Sequence, residues 1–85
     1  MNNAERITEI KNRLSPLNPT SIEVTDESHK HIGHVGAKDG RGHFALTIQA
    51  DCLNDISRIQ QHQMIYQALG DLMETDIHAL SIRVT

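Results

Sequence analysis

Aromatic side chains are nearly absent from these 85 residues: one phenylalanine, Phe44, one tyrosine, Tyr66, and no tryptophan. The core of so small a chain must therefore be aliphatic, and it must be modest. Cysteine occurs once, as Cys52. That excludes an internal disulfide and an all-cysteine metal site, and it suits a reducing compartment. No apolar run approaches the ~20 residues of a membrane span. The N-terminal stretch is polar and lacks the apolar segment of a secretory signal. Positive charge is in short supply too. With 8 Lys and Arg against 11 Asp and Glu the net charge is −3, which disfavours nucleic acid as a bulk partner. These absences lead us to expect a single domain over residues 1–85, soluble, cytoplasmic, without membrane contact and monomeric in isolation.

What is abundant is histidine, and it is unevenly placed. Four of the six histidines (His29, His31, His34 and His43) and four of the five glycines lie between Asp26 and Phe44. Such a glycine-rich stretch reads as an exposed loop. His78 stands far away, at the start of the last apolar run.

Taken in order, Asn3 to Leu14 has helical periodicity, with Asn2 or Asn3 as N-cap and Glu5 in the first turn. Pro16 and Pro19 end it. Ser21 to Asp26 alternates as a strand, and His43 to Ala50 alternates more clearly, with Phe44, Leu46 and Ile48 on one face. Asp51 to Ile56 turns the chain. Ser57 to Gln60 has the Ser-x-x-Gln form of a capping box. The spacing then predicts a helix to about Met73, with the apolar stripe Ile65, Ala68, Leu69, Leu72 and Met73. Ile77 to Val84 closes the chain as a strand whose alternation groups His78 with Leu80, Ile82 and Val84. The order is α-β-β-α-β, with a second helical piece if the turn before Ser57 is helical. It suggests a three-stranded sheet with helices on one face.

This topology carries a functional expectation. Strands joined by a loop pair antiparallel, and neighbours joined through a helix run parallel. The loop from Asp26 to Gly42, His43 and His78 should then share one end of the sheet. His62 falls elsewhere, because the stretch from His62 to Asp76 spans about 20 Å as a helix. Cys52 belongs at the opposite end. Neutral imidazoles suit Zn, Cu and Fe. Loop histidines together with His78 could therefore bind a metal at a site incomplete on its own. The plainer alternatives are solvated loop histidines, a solvated His43 pointing away from Phe44's face, and a half-buried His78 bonded locally. Asp26 and Glu27 are either a solvated acidic turn or partners of those histidines.

Four segments carry a resemblance: Val24 to His31 (Val-Thr-Asp-Glu-Ser-His-Lys-His), Gly42-His43-Phe44, Gln61 to Leu69, and Ile77 to Leu80 (Ile-His-Ala-Leu). Together they resemble the BolA-like proteins, over Leu14 to Val84. The resemblance implies an α+β, class II KH-like α-β-β-α-α-β fold with a three-stranded mixed sheet. It implies a non-enzymatic adaptor that pairs with a monothiol glutaredoxin around a bridging [2Fe–2S] cluster, in cluster trafficking or iron and redox regulation. The family's ligands correspond to His78 and, by its distance after Glu27-Ser28, His31, with His29 and His34 as substitutes. Glutaredoxin and glutathione would supply sulfur, and no cofactor is expected in the isolated chain. Histidine in place of thiolate raises a cluster's potential.

The same resemblance implies an alternative, a DNA-binding transcriptional regulator of stress response and morphology. It would act through a helix-turn-helix region, here Leu53 to Leu72, with Arg58 and His62 as contacts. The family's usual Arg-His-Arg is Gln61-His62-Gln63 here, which removes two phosphate contacts. Its Phe-x-Gly is Leu53-Asn54-Asp55. Gly33 to Gly36 matches Gly-x-x-Gly literally but lies in the hairpin loop, not between core helices. No positioned nucleophile and base are evident, Ser28 and His29 being merely adjacent in an exposed loop.

Overall fold

The computed structural model describes residues 1–28 and 40–85. Helix α1 runs Asn3–Leu14. Its cap is reciprocal: the Asn2 side chain accepts from the Glu5 amide at 2.8 Å, and the Glu5 carboxylate accepts from the Asn2 amide at 3.1 Å. Two of the orphan donors at the helix start are thereby satisfied. A 3-10 turn, Ser15–Leu17, carries Pro16 and leads towards strand β1, Ser21–Asp26. Strand β2, Gly42–Gln49, is followed by a second 3-10 turn, Asp51–Leu53.

Helix α2, Arg58–Leu69, starts with the capping box read from the sequence, Ser57 and Gln60 bonding reciprocally. It stops four residues short of Met73. Gly70 takes φ +56 there, in the left-handed region that a side chain resists, and its amide bonds back to the Tyr66 carbonyl at 2.9 Å. Leu72 and Met73 belong instead to a short helix α3, Leu72–Thr75. The second helical piece thus comes from a break at Gly70, while the segment before Ser57 is only a 3-10 turn. Asp55, where the resemblance implied glycine, adopts φ +64, a conformation aspartate tolerates better than most residues.

Strand β3, Ile77–Val84, completes the sheet in the order β1-β2-β3. The β1–β2 pair is antiparallel, with Val24 opposite Leu46 and Ile22 opposite Ile48. The β2–β3 pair is parallel, with Leu46 opposite Ile82 and Ile48 opposite Val84. Phe44, Leu46 and Ile48 on the central strand pack against Ile10, Leu14, Ile65, Leu69 and Leu72 from the three helices. On the other face Glu23, Thr25, Ala79, Ser81 and Arg83 are exposed, so helices cover one side only.

One irregularity corrects the alternation expected of β3. Gly42 pairs with Ile77, but His43 pairs with Ala79, so His78 is the extra residue of a bulge. A one-residue slip exchanges the faces on either side of it. Ile77 is therefore buried, at 1% exposure, and His78 is exposed, not on the core side with Leu80, Ile82 and Val84.

Candidate metal centre

The sheet end that holds His43 and His78 is tied together by polar contacts from four elements. At the start of α1, Asn3 donates from Nδ2 to Asp26 Oδ2 at 3.0 Å and to Ser28 Oγ at 3.2 Å. Arg6 donates to Asn3 Oδ1 and, through Nε, to Asp76 Oδ1, both at 2.9 Å. Ser28 Oγ accepts from the His43 amide at 3.0 Å, and the Asp76 carbonyl accepts from the Gly42 amide at 3.0 Å. The end of β1, the start of β2 and the junction of α3 with β3 are thus fixed relative to one another. Asp26 and Ser28 serve this frame, as an acceptor for α1 and for the Ser28 amide and as a bridge to β2. Asp76 is nearly buried. The Thr75 hydroxyl and the Arg6 guanidinium, both donating to it, hold its carboxyl below the usual carboxylate range.

Gly42 has a steric reason to be glycine. A Cβ there would lie 2.5 Å from Phe44 Cζ and 2.9 Å from Asn3 Oδ1, so the Phe44 ring occupies the space a side chain would take. Next to it His43 is on the face opposite Phe44, as alternation requires, yet it is 7% exposed and both ring nitrogens are out of reach of solvent. The expectation of a solvated His43 is therefore corrected. Its ring lies 4.8 Å from that of His78, centroid to centroid, at 49°. The bulge is what brings the two together, because it turns His78 toward the open face.

Arg41, half-buried, reaches across the same end. Its Nη1 donates to the Glu74 carbonyl at 3.4 Å and its Nη2 lies 3.1 Å from His78 Nδ1. A guanidinium only donates, so Nδ1 is the acceptor and the neutral ring carries its proton on Nε2.

The site residues expected from sequence fall into three groups. His78 stands at the sheet end where both β1 and the approach to β2 arrive, and its ring is exposed. His29, His31 and His34 lie outside the described residues. His62 is elsewhere: its ring meets Tyr66 edge-on at 6.3 Å, and with Arg58, Gln61 and Arg83 it lines an open cavity of about 250 Å³ between α2 and β3. Cys52 is exposed on the 3-10 turn after β2, with its thiol 3.5 Å from the Leu17 carbonyl. Among the described residues no three metal-ligating side chains gather. They supply one accessible imidazole at the sheet end, which fits a single contribution to a shared centre and does not make a closed site. Arg41 went unrecognised in the sequence reading, since nothing in the pattern links it to a residue 37 positions later. The adjacent Gly42-His43-Phe44 motif was the available signal for a constrained His43.

Fold and site together define a small α+β domain that presents one imidazole beside a buried second one. The family model described as "BolA-like protein" matches residues 14–85. The chain belongs to this BolA-like family. It is similar to "SufE-like protein 1, chloroplastic/mitochondrial" of Arabidopsis thaliana, 38% identical over 71 residues, covering 78% of this chain and 19% of that protein. The "DNA-binding transcriptional regulator BolA" of Escherichia coli is 33% identical, over 75% of this chain and 58% of that one. The chain thus spans only part of these relatives' lengths. Among solved structures, the BolA domain of SufE1 from Arabidopsis thaliana superposes with a TM-score of 0.81 at 37% identity, covering 94% of this chain and 90% of that one. No helix among the described residues is long and apolar enough to cross a membrane.

Proposed function

We propose that this chain is a non-enzymatic adaptor that contributes histidine to a [2Fe–2S] cluster shared with a monothiol glutaredoxin and its glutathione. The observation that carries the reading is His78. Its ring is exposed on a β-bulge at a sheet end braced by the Asn3, Arg6, Asp26 and Asp76 network, where the ends of the histidine-rich loop also arrive. His31 is the second ligand in this reading, with His29 and His34 as substitutes. Such a cluster would supply one-electron chemistry and a transferable iron–sulfur unit, at a potential raised by imidazole ligation. The protein's part is to hold His78 in one orientation. The bulge fixes its backbone, and the His43 ring packs against its own. The same proposal gives the chain a cytoplasmic role in cluster trafficking or iron and redox regulation.

The test is to mix the chain with a [2Fe–2S]-loaded monothiol glutaredoxin and record absorption and circular dichroism. Wild type should give a mixed-complex spectrum distinct from that of the glutaredoxin alone. His78→Ala and His31→Ala should each lose it. Spectra unchanged by both substitutions would refute the assignment.

A second reading, DNA binding in stress-response regulation, has one structural observation in its favour. Arg58 and His62 line the same cavity as Arg83, so two guanidinium groups converge on one surface of an otherwise acidic chain. This reading requires binding that weakens steeply with salt and is lost in Arg58→Ala. Absent or salt-independent binding near physiological ionic strength would sink it.

A further inference from the structure

We propose that Arg41 is a latch on His78, a residue that must let go before His78 can ligate a metal. The inference rests on the cluster-sharing reading above and adds a control to it. Its basis is the lone-pair count of imidazole. A neutral ring has one nitrogen with a free lone pair and one that carries a proton. Arg41 Nη2 lies 3.1 Å from Nδ1. Because a guanidinium only donates, a neutral His78 ring accepts there through its one free lone pair and carries its proton on Nε2. Ligation through Nδ1 requires the metal to take the guanidinium's place. Ligation through Nε2 requires the proton to move to Nδ1, where it would face the Arg41 N–H. Both routes break the same hydrogen bond. The guanidinium charge adds to the effect, because it opposes a metal cation brought to the same nitrogen.

The geometry also shows what holds the latch. Arg41 keeps a second contact, Nη1 to the Glu74 carbonyl at 3.4 Å, so a guanidinium displaced from His78 stays tethered to α3. The His43 ring also meets that of His78, with centroids 4.8 Å apart, and restrains it while Arg41 leaves. Arg41 is thus a positioning and gating residue, not a ligand.

Two measurements at one fixed pH decide the matter, on wild type, Arg41→Ala, Arg41→Lys and His78→Ala. The first is the two-bond ¹H–¹⁵N spectrum of the isolated chain. In wild type the unprotonated nitrogen of His78 should be Nδ1, shifted upfield by the bond it accepts. Arg41→Ala should return it downfield. No change on substitution overturns the latch, because the contact would then not exist in solution. The second is titration with Zn²⁺ as a probe, followed by line broadening at His78. Arg41→Ala should bind roughly threefold to tenfold tighter than wild type, the factor that loss of one hydrogen bond supports. Arg41→Lys should lie between them, and His78→Ala should abolish the difference. Equal or weaker zinc binding by Arg41→Ala overturns the latch, as does the lack of any zinc response at His78 in both proteins. Failure of the cluster reading shows differently: neither wild type nor Arg41→Ala would then form the mixed complex with loaded glutaredoxin, whatever the zinc result.

Discussion

Gly42→Ala is a small change with a cost that can be worked from the coordinates. The added methyl would lie 2.5 and 2.6 Å from two atoms of the Phe44 ring and 2.9 Å from Asn3 Oδ1. None of these atoms can yield easily. Phe44 is 2% exposed, its ring is rigid, and it sits within the aliphatic cluster. Asn3 Oδ1 already accepts from Arg6. Overpacking of this kind costs about 1–3 kcal/mol. The substitution also removes freedom from the unfolded chain, which returns about 0.4–1 kcal/mol where the native backbone is compatible, and Gly42 does not have positive φ. The two ranges leave a net loss centred near about 1.3 kcal/mol and reaching about 2.6 kcal/mol, with each kcal/mol lowering Tm by about 4–8 °C in a domain of this size. Urea unfolding followed by far-ultraviolet circular dichroism measures it directly. A variant as stable as wild type, or more stable, would refute the steric argument. The double-mutant cycle sharpens the test. In a Phe44→Leu background the shorter side chain leaves room, so the alanine should be nearly neutral there. A cost equal to that in the wild-type background would place its origin outside the Phe44 contact.

The two remaining predictions concern the same end of the sheet. Asp76→Asn should lower stability by about 1.5–3 kcal/mol at pH 7, because it removes the charged partner of the nearly buried Arg6 bond. Since the native carboxyl titrates below its ordinary value, its contribution is complete above the unfolded value of about 3.9 and is lost as pH falls below that. The gap between wild type and Asp76→Asn should therefore shrink as pH falls through and below about 3.9, and a gap independent of pH in urea melts would contradict this. The paired histidines should separate by stability: His43→Ala empties a buried position and should cost about 2 kcal/mol, whereas exposed His78→Ala should stay within about 0.5 kcal/mol. Thermal unfolding of the two variants checks it, and equal losses would mean that His78 supports the fold itself.

Much of this protein was legible in its sequence, because local periodicity and turn chemistry act over short distances. Helix α1, the Ser57–Gln60 capping box, strands β1 and β3 and the mixed pairing about β2 all follow from residues within a few positions of one another, plus the rule that loops reverse strands and helices restore them. The arrival of His43 and His78 at one sheet end follows from that topology too. Tertiary structure alone decided the details that matter most for chemistry. Helical spacing continues through Gly70, and only the observed backbone shows the chain breaking there to form α3. Alternation assigns His78 to the core. A bulge is a misfit between two strands, and neither strand encodes it by itself, so its reversal of that assignment could not be read from β3. Arg41 touching His78, and the Phe44 ring filling the space beside Gly42, are likewise contacts between groups brought together by pairing and packing. Residue type and spacing determine which elements form. Where a single lone pair points depends on how those elements meet.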